Sequence, residues 1–239
     1  MKLRLDHHIT RLGLVSSRSQ AESYIRLGMV LVNGKVQAKP GFFVNEHDQV
    51  ELAAKEQYVS RAGLKLASVS EALKLDFNNK VMLDVGSSTG GFTDYALRHG
   101  ASKVIAVEVG TNQLHPSLQD DKRIELHEQT DIRSLQQLSS TPDFILIDVS
   151  FISLRHILPH IKKLCGAHTA VVAMVKPQFE AGAEAKNKGV IKNDKVRREV
   201  LSNFETWVKK DYFIAAKADS DIAGEKGNRE RFYLLTKLS

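Results

Sequence analysis

The sequence predicts a doubly wound α/β sheet preceded by a small α+β module. Three observations carry that expectation. Five apolar runs (Val81–Val85, Val104–Val107, Arg123–Leu126, Phe144–Asp148 and Ala170–Val175) alternate with helical stretches, which is the pattern of a parallel sheet with helices on both faces. The first run leads into Asp84-Val85-Gly86-Ser87-Ser88-Thr89-Gly90-Gly91-Phe92, a glycine turn feeding an amphipathic stretch. Before residue 55 the elements are short, and none matches the later apolar strands.

The N-terminal elements follow in order. Ser17 and Gln20 have the spacing of a capping box, opening a helix from Arg18 to Leu27 with Ala21, Tyr24 and Ile25 on one face. Gly28 is placed to end it. Met29–Val32 reads as a strand, Asn33-Gly34 as a hairpin turn, and Gln49–Ala53 as a further strand. The expected division is a module over residues 1–54, a linker over 55–59 and a larger domain over 60–239. Ser60–Leu66 reads as the start of a helix bearing Lys65. Tyr212–Ala216 and Arg231–Thr236 read as a final strand pair, with an antiparallel edge.

Composition narrows the function classes. Lys and Arg number 34 against 28 Asp and Glu, a net charge of +6 that suits a polyanionic partner. The single cysteine, Cys165, cannot form an internal disulfide and reads as an inert thiol at the end of a buried helix, in a reducing compartment. No signal-like segment or membrane-length apolar run is visible, so a cytoplasmic protein with no membrane partner is expected. The nine histidines show no ligand spacing, and no metal site is expected.

The glycine turn points to a small cofactor. Gly86-x-x-x-Gly90-Gly91 is neither a dinucleotide fingerprint nor a phosphate loop, and no lysine follows it. A nucleoside-type ligand fits better, held around Asp84, Gly86, Ser88, Gly90, Gly91 and Phe92. Glu108 closes the next strand about twenty residues on, where a carboxylate can accept both ribose hydroxyls, as it also would in a dehydrogenase. Asp131 follows the third strand, where it can receive an adenine amino group or cap the helix after it. Acids at three successive strand ends resemble the Rossmann-like S-adenosylmethionine-dependent methyltransferases, which makes S-adenosyl-L-methionine the expected cofactor.

The N-terminal module resembles the S4 RNA-binding domain. The likeness runs through Arg4-Leu5-Asp6, Ser17-Arg18-Ser19-Gln20-Ala21 and Ile25-Arg26-Leu27-Gly28-Met29-Val30-Leu31-Val32-Asn33-Gly34-Lys35. It implies RNA contacts, with Arg11, Arg18, Arg26, Lys35 and Lys39 the candidates for phosphates. A solvated basic face is the alternative.

Four further residues stand at element boundaries: Lys65, Asp148, Lys176 and Glu230. Pro177 cannot continue a strand ladder, so Lys176 falls at the rim. The order Ser-Arg-x-x-x-Lys-Leu, strand-Asp, strand-Lys-Pro and Asn-Arg-Glu resembles the FtsJ-type ribose 2′-O-methyltransferases. With the N-terminal module, the whole chain resembles the TlyA, or haemolysin A, family, and with Leu238-Ser239 soon after the last strand no C-terminal extension is expected. The resemblance implies methylation of a cytidine 2′-hydroxyl in ribosomal RNA or ribosomal subunits, with the four residues as a catalytic tetrad. A ribose hydroxyl must lose its proton as it attacks, so the base has to be a lysine in its neutral form. Lys176 is expected as that base and Lys65 as the group orienting the hydroxyl, with Asp148 and Glu230 holding the geometry. Without the resemblance, Lys65 and Glu230 read first as members of surface ion pairs.

The polar stretch from Ala181 to Asp194, with Gly182 and Gly189, reads as an RNA-facing lid or a solvated loop. Two other functions compete: a noncatalytic RNA-binding or ribosome-assembly factor, and a haemolysin. The latter would need a membrane-active segment that the sequence does not display.

Overall fold

A computed structural model describes residues 2–15, 18–26, 28–53, 58–181, 190–191, 193–224 and 227–238; the side chains of Ser19 and Ser23 are outside that set. Ser17, Leu27, the linker residues Lys55-Glu56-Gln57 and the Gly182–Gly189 stretch lie outside the described residues. The chain divides into two compact units, residues 1–61 and 62–239.

The first unit holds β1 (Leu3–Arg4), α1 (Leu5–Arg11), α2 (Arg18–Arg26), β2 (Val30–Val32), β3 (Lys35–Val36), β4 (Phe43–Val44) and β5 (Val50–Leu52). β1 pairs antiparallel with β4, and β2 sits between β3 and β5. The hairpin turns through Asn33 (φ 52°) and Gly34 (φ 73°), the left-handed pair that a tight two-residue turn requires. Leu5, Ile9, Ala21, Tyr24, Ile25 and Val30 form its buried centre. Tyr58 belongs here as well. It is buried, its N–H donates to the Tyr24 hydroxyl, and its carbonyl accepts from the Gln20 amide. The expected linker over 55–59 therefore ends before Tyr58, and the unit boundary falls at Arg61.

The second unit begins with α3 (Arg61–Ser70) and continues through β6 (Val81–Val85), α4 (Gly91–Arg98), β7 (Lys103–Val107), α5 (Pro116–Gln119), β8 (Ile124–His127) and β9 (Phe144–Ile147). It closes with α6 (Leu158–Leu164), β10 (Ala170–Val175), α7 (Pro177–Glu180), α8 (Asp194–Val208), β11 (Tyr212–Asp219) and β12 (Arg231–Lys237). The seven-stranded sheet has the order β11-β12-β10-β9-β6-β7-β8. β6 to β10 run parallel, while β12 is antiparallel to β10 and β11 to β12. The chain moves outward from β6 to β8, then crosses to β9 on the other side. That reversal opens a crevice at the strand carboxyl ends, where ligands of such sheets bind.

The alternation of side chains explains why both faces are covered. Leu83, Val85, Ile105, Ile145, Ile147, Val171 and Ala173 face α6 and α8 through Leu158, Ile161 and Phe204. Residues one position out of phase are equally buried, among them Met82, Val104, Leu146 and Val172. β11 is longer than its sequence suggests, because a register shift between Ile214 and Ala216 breaks the alternation halfway along. Cys165 caps α6 and is buried, and burial pushes its thiol up to about 11, which agrees with an inert role.

Candidate active site

The four tetrad positions form two ion pairs where β9 and β10 end and β12 begins. Lys176 Nζ lies 2.6 Å from Asp148 Oδ1, and Lys65 Nζ lies 2.5 Å from Glu230 Oε2. Neither oxygen has a hydrogen-bond partner among the described residues, so these contacts are ion pairs rather than directed hydrogen bonds. Strand register brings the pairs together. Val175 of β10 pairs with Arg231 of β12, so Lys176 and Glu230 occupy the next position on adjacent strands. Asp148 leaves the neighbouring β9, and Lys65 is delivered by α3. All four side chains are largely buried, between 3% and 16% exposed, so the reading of Lys65 and Glu230 as surface ion pairs does not hold. Lys176 also donates to Ser150 Oγ at 2.7 Å.

Beside these pairs lies a cavity of about 540 Å³, a size typical of small-ligand sites. Gly86, Ser88, Glu108, Asp131 and Asp148 line it. Gly86 has φ +78°, and a Cβ there would stand 2.7 Å from the Asp148 carbonyl oxygen. Only glycine lets the turn after β6 lie this close to the end of β9. Glu108 is buried and shapes the turn from the other side, accepting from Ser88 N–H at 2.9 Å and Gly110 N–H at 2.8 Å. The capping reading of Asp131 holds, and the residue also reaches the cavity. It caps a short 3-10 turn by accepting from Arg133 N–H, and it lines the cavity, with the hydrogen bonds from Arg133 holding its carboxyl below the ordinary range.

Gly90 is the N-cap of α4 and Gly91 its first residue, both set back from the cavity lining. Phe92 corrects an expectation. It is 2% exposed and packs against Phe232, with ring centroids 6.0 Å apart, so its side chain belongs to the core. Its spacing to Tyr95 and Ala96 puts all three on the buried face of α4.

Asp84 sits behind the turn, 1% exposed, accepting from the Thr93 hydroxyl on one oxygen and from nothing described on the other. Burial pushes its carboxyl up to about 7, opposed by the Thr93 hydrogen bond and reinforced by Asp148 and Glu108. A raised carboxyl binds its proton more tightly in the folded than in the unfolded chain. Its contribution to stability is thus complete below about pH 4 and is lost as pH rises through about 7. Acidifying the ligand-free protein from pH 7.5 to 5.5 should therefore raise the melting temperature more in the wild type than in Asp84→Asn. Equal pH dependence in the two would contradict this assignment.

Sequence reading missed two features next to the pairs. Phe151 has φ +66° and is 91% exposed, so a large aromatic ring stands at the cavity mouth with only the Phe179 ring beside it among the described aromatic pairs. Its neighbours Val149 and Ile152 make it read as another core residue. Glu180, at the end of α7, accepts hydrogen bonds from Ser153 and Leu154, and no local pattern announces that contact.

In the first unit, Arg11, Arg26, Lys35 and Lys39 are exposed. Arg18 is committed elsewhere. Its Nε lies 3.0 Å from the fully buried Asp6, which Arg4 also contacts at 2.9 Å. Burial works against ionising Asp6, but Arg4, Arg18 and the His7 N–H together bring it down to about 2. Arg18, although also exposed, is thus first a structural partner, and reversing its charge would set a second carboxylate against the buried Asp6.

No helix among the described residues is long and apolar enough to cross a membrane, and no described cluster of His, Cys, Asp and Glu could hold a metal.

This arrangement is the fold of the S-adenosylmethionine-dependent methyltransferases. A member from Mesorhizobium loti shares it at a TM-score of 0.51 and only 14% identity, covering 74% of this chain and 100% of that one. Residues 58–237 match the model for the FtsJ-like methyltransferases and residues 3–50 that for the S4 domain. The chain is 37% identical to hemolysin A of Brachyspira hyodysenteriae, over 95% of this chain and 97% of the relative. It is 33% identical to the 16S/23S rRNA (cytidine-2′-O)-methyltransferase TlyA of Mycobacterium tuberculosis, over 98% of this chain and 90% of the relative. A solved structure named as a putative hemolysin from Streptococcus thermophilus superposes with a TM-score of 0.77 at 37% identity, covering 100% of this chain and 89% of that one. The chain belongs to the FtsJ-like methyltransferase family, carries an S4 domain, and is similar over most of its length to TlyA and hemolysin A proteins.

Proposed function

We propose that this protein transfers a methyl group from S-adenosyl-L-methionine to the 2′-hydroxyl of a cytidine in ribosomal RNA. One observation carries the reading: two buried lysine–carboxylate pairs stand on adjacent strand ends beside a cavity lined by a glycine turn and an acid. The names of the TlyA relatives supply the ribosomal substrate.

The residues present fit the cofactor. Glu108 retains acceptor capacity for ribose hydroxyls and Asp131 faces the cavity near Ile132 for an adenine, while Asp84, outside the cavity lining, supports the turn from behind. When bound, S-adenosylmethionine supplies a methyl group on a positively charged sulfur. Once Lys176 has shed to solvent the proton that pairs it with Asp148, its Nζ takes the proton of the 2′-hydroxyl as the oxygen attacks, and Asp148 stabilises the ammonium that forms again. Lys65, held by Glu230, orients the hydroxyl. The exposed Phe151 ring offers a stacking surface for the target base, a common way of holding an unpaired nucleotide. The basic residues of the S4 module contact phosphates and bring the enzyme to its site.

The experiment is transfer of labelled methyl from S-adenosylmethionine to ribosomal RNA and to isolated subunits. Incorporation into RNA is expected, and Glu108→Gln should raise the cofactor Kd by about tenfold or more, the scale of one lost charged hydrogen bond. A folded protein that neither binds the cofactor nor labels any RNA would refute the reading.

A further inference from the structure

Glu180 stands outside the four residues that carry the proposed chemistry, yet it joins the two segments that present them. One segment is Lys176-Pro177-Gln178-Phe179-Glu180, which leaves β10 and winds into α7. The other runs from Asp148 to Leu154 after β9. Glu180's side chain is 2% exposed. Its Oε2 accepts from the Ser153 hydroxyl at 2.6 Å and its Oε1 from the Leu154 N–H at 2.7 Å. The nearest cation, Arg155, remains 3.7 Å away and extends over the Trp207 ring, 5.1 Å from its centroid. A carboxylate removed from water is costly unless its oxygens are hydrogen-bonded, and here both hydrogen bonds come from the facing segment.

Two further contacts join the same segments. Lys176 donates to Ser150, and the rings of Phe179 and Phe151 lie 5.3 Å apart. Between these contacts and the Glu180 anchor sits Phe151 with φ +66°, a conformation that a bulky L residue adopts only when its surroundings impose it. The anchor at Ser153 and Leu154 begins two residues later.

We propose that Glu180 is a positioning residue for methyl transfer: its buried carboxylate latches the Lys176–Glu180 segment onto the Asp148–Leu154 turn, fixing Lys176, Ser150 and Phe151 in one register. This rests on the function proposed above. Glu180 does not line the cavity, so its effect reaches the reaction through the two segments. Without the latch the turn relaxes toward negative φ at Phe151, the ring leaves the cavity mouth, and Lys176 loses its Ser150 contact. Misplacing a reacting group by about 1 Å costs on the order of 10²-fold in rate.

The test uses the full chain, labelled S-adenosylmethionine and the RNA substrate, comparing Glu180→Ala, Glu180→Gln and Ser153→Ala. Glu180→Ala should lower kcat by roughly 30- to 100-fold, with the cofactor Kd within about threefold of wild type. Glu180→Gln keeps an acceptor for the Leu154 N–H and should restore most of the rate. Trp207 is the chain's single tryptophan, so its fluorescence should change in Glu180→Ala as Arg155 shifts above it. If Glu180→Ala does not fold, Ser153→Ala removes one latch contact and should still lower kcat by about three- to tenfold without changing the cofactor Kd. Wild-type enzyme with no transfer would defeat the proposed function itself. An active wild type with unchanged kcat in the folded variants would defeat the latch alone. So would a parallel loss of kcat, cofactor affinity and melting temperature, which marks a merely structural residue.

Discussion

Replacing Lys176 with alanine is expected to lower kcat for methyl transfer by roughly 10²- to 10⁴-fold, the range associated with a positioned general base. Cofactor affinity and RNA affinity should change little, because the lost group acts mainly while the proton moves. The structure adds one complication. Asp148 is 16% exposed and loses its cation in this variant, and breaking a buried pair costs up to about 3–5 kcal/mol. The melting temperature therefore has to be measured alongside the rate, and kcat referred to folded protein. Lys176→Arg is a useful companion, since it keeps the partner of Asp148 but not a group able to shed its proton. It should be as inactive as the alanine variant while melting nearer to wild type. An active arginine variant would move the base elsewhere, with Lys65 the first candidate.

Removing the first unit should have the second large effect. Residues 1–58 are the segment to delete, because Tyr58 is packed into that unit through Tyr24 and Gln20. The remaining chain keeps the whole seven-stranded sheet and the cavity, so it should bind S-adenosylmethionine within about threefold of the full protein. Methyl transfer to ribosomal RNA at limiting RNA should fall by about 10²-fold, the scale lost when a tethered second contact is removed. Lys35→Glu with Lys39→Glu should reproduce part of the loss and flatten the dependence of RNA affinity on salt, since both side chains are exposed and phosphate contacts release counterions. Undiminished transfer by the truncated enzyme, at the same nucleotide, would show that the S4 unit plays no part in docking.

The parts of this protein that are legible in sequence are those written in periodicity and at strand ends. β6 and β10 read correctly to the residue, because β-branched runs bounded by glycine or proline leave little choice. Asp148, Lys176 and Glu230 can be picked out because each stands where a strand begins or ends, whereas Lys65 lies inside α3 and is picked out only by the family resemblance; only the folded chain shows that the four meet. Other features are hidden for physical reasons. Phe92 follows two turn glycines and so reads as ligand-facing, but helical spacing ties it to Tyr95 and Ala96 in the core. Arg18 reads as a free cation because its partner, Asp6, lies twelve residues away. The Glu180 latch spans twenty-six residues and joins two segments with no common pattern. Phe151 depends on a backbone conformation that no sequence rule assigns to phenylalanine.

The central claim is that the methyl group reaches a ribose oxygen through chemistry centred on Lys176. A 2′-O-methyl group removes the nucleophile that alkali uses to cleave the neighbouring phosphodiester, so methylation leaves a gap in an alkaline ladder of the RNA. The most direct measurement is that ladder on ribosomal RNA treated with cofactor and either the wild-type enzyme or Lys176→Ala. The account predicts gaps at cytidines with the wild type and an unbroken ladder with the folded variant. Methyl label incorporated by the wild type with no gap, which would put the methyl on a base, or gaps that persist in the variant, would contradict it.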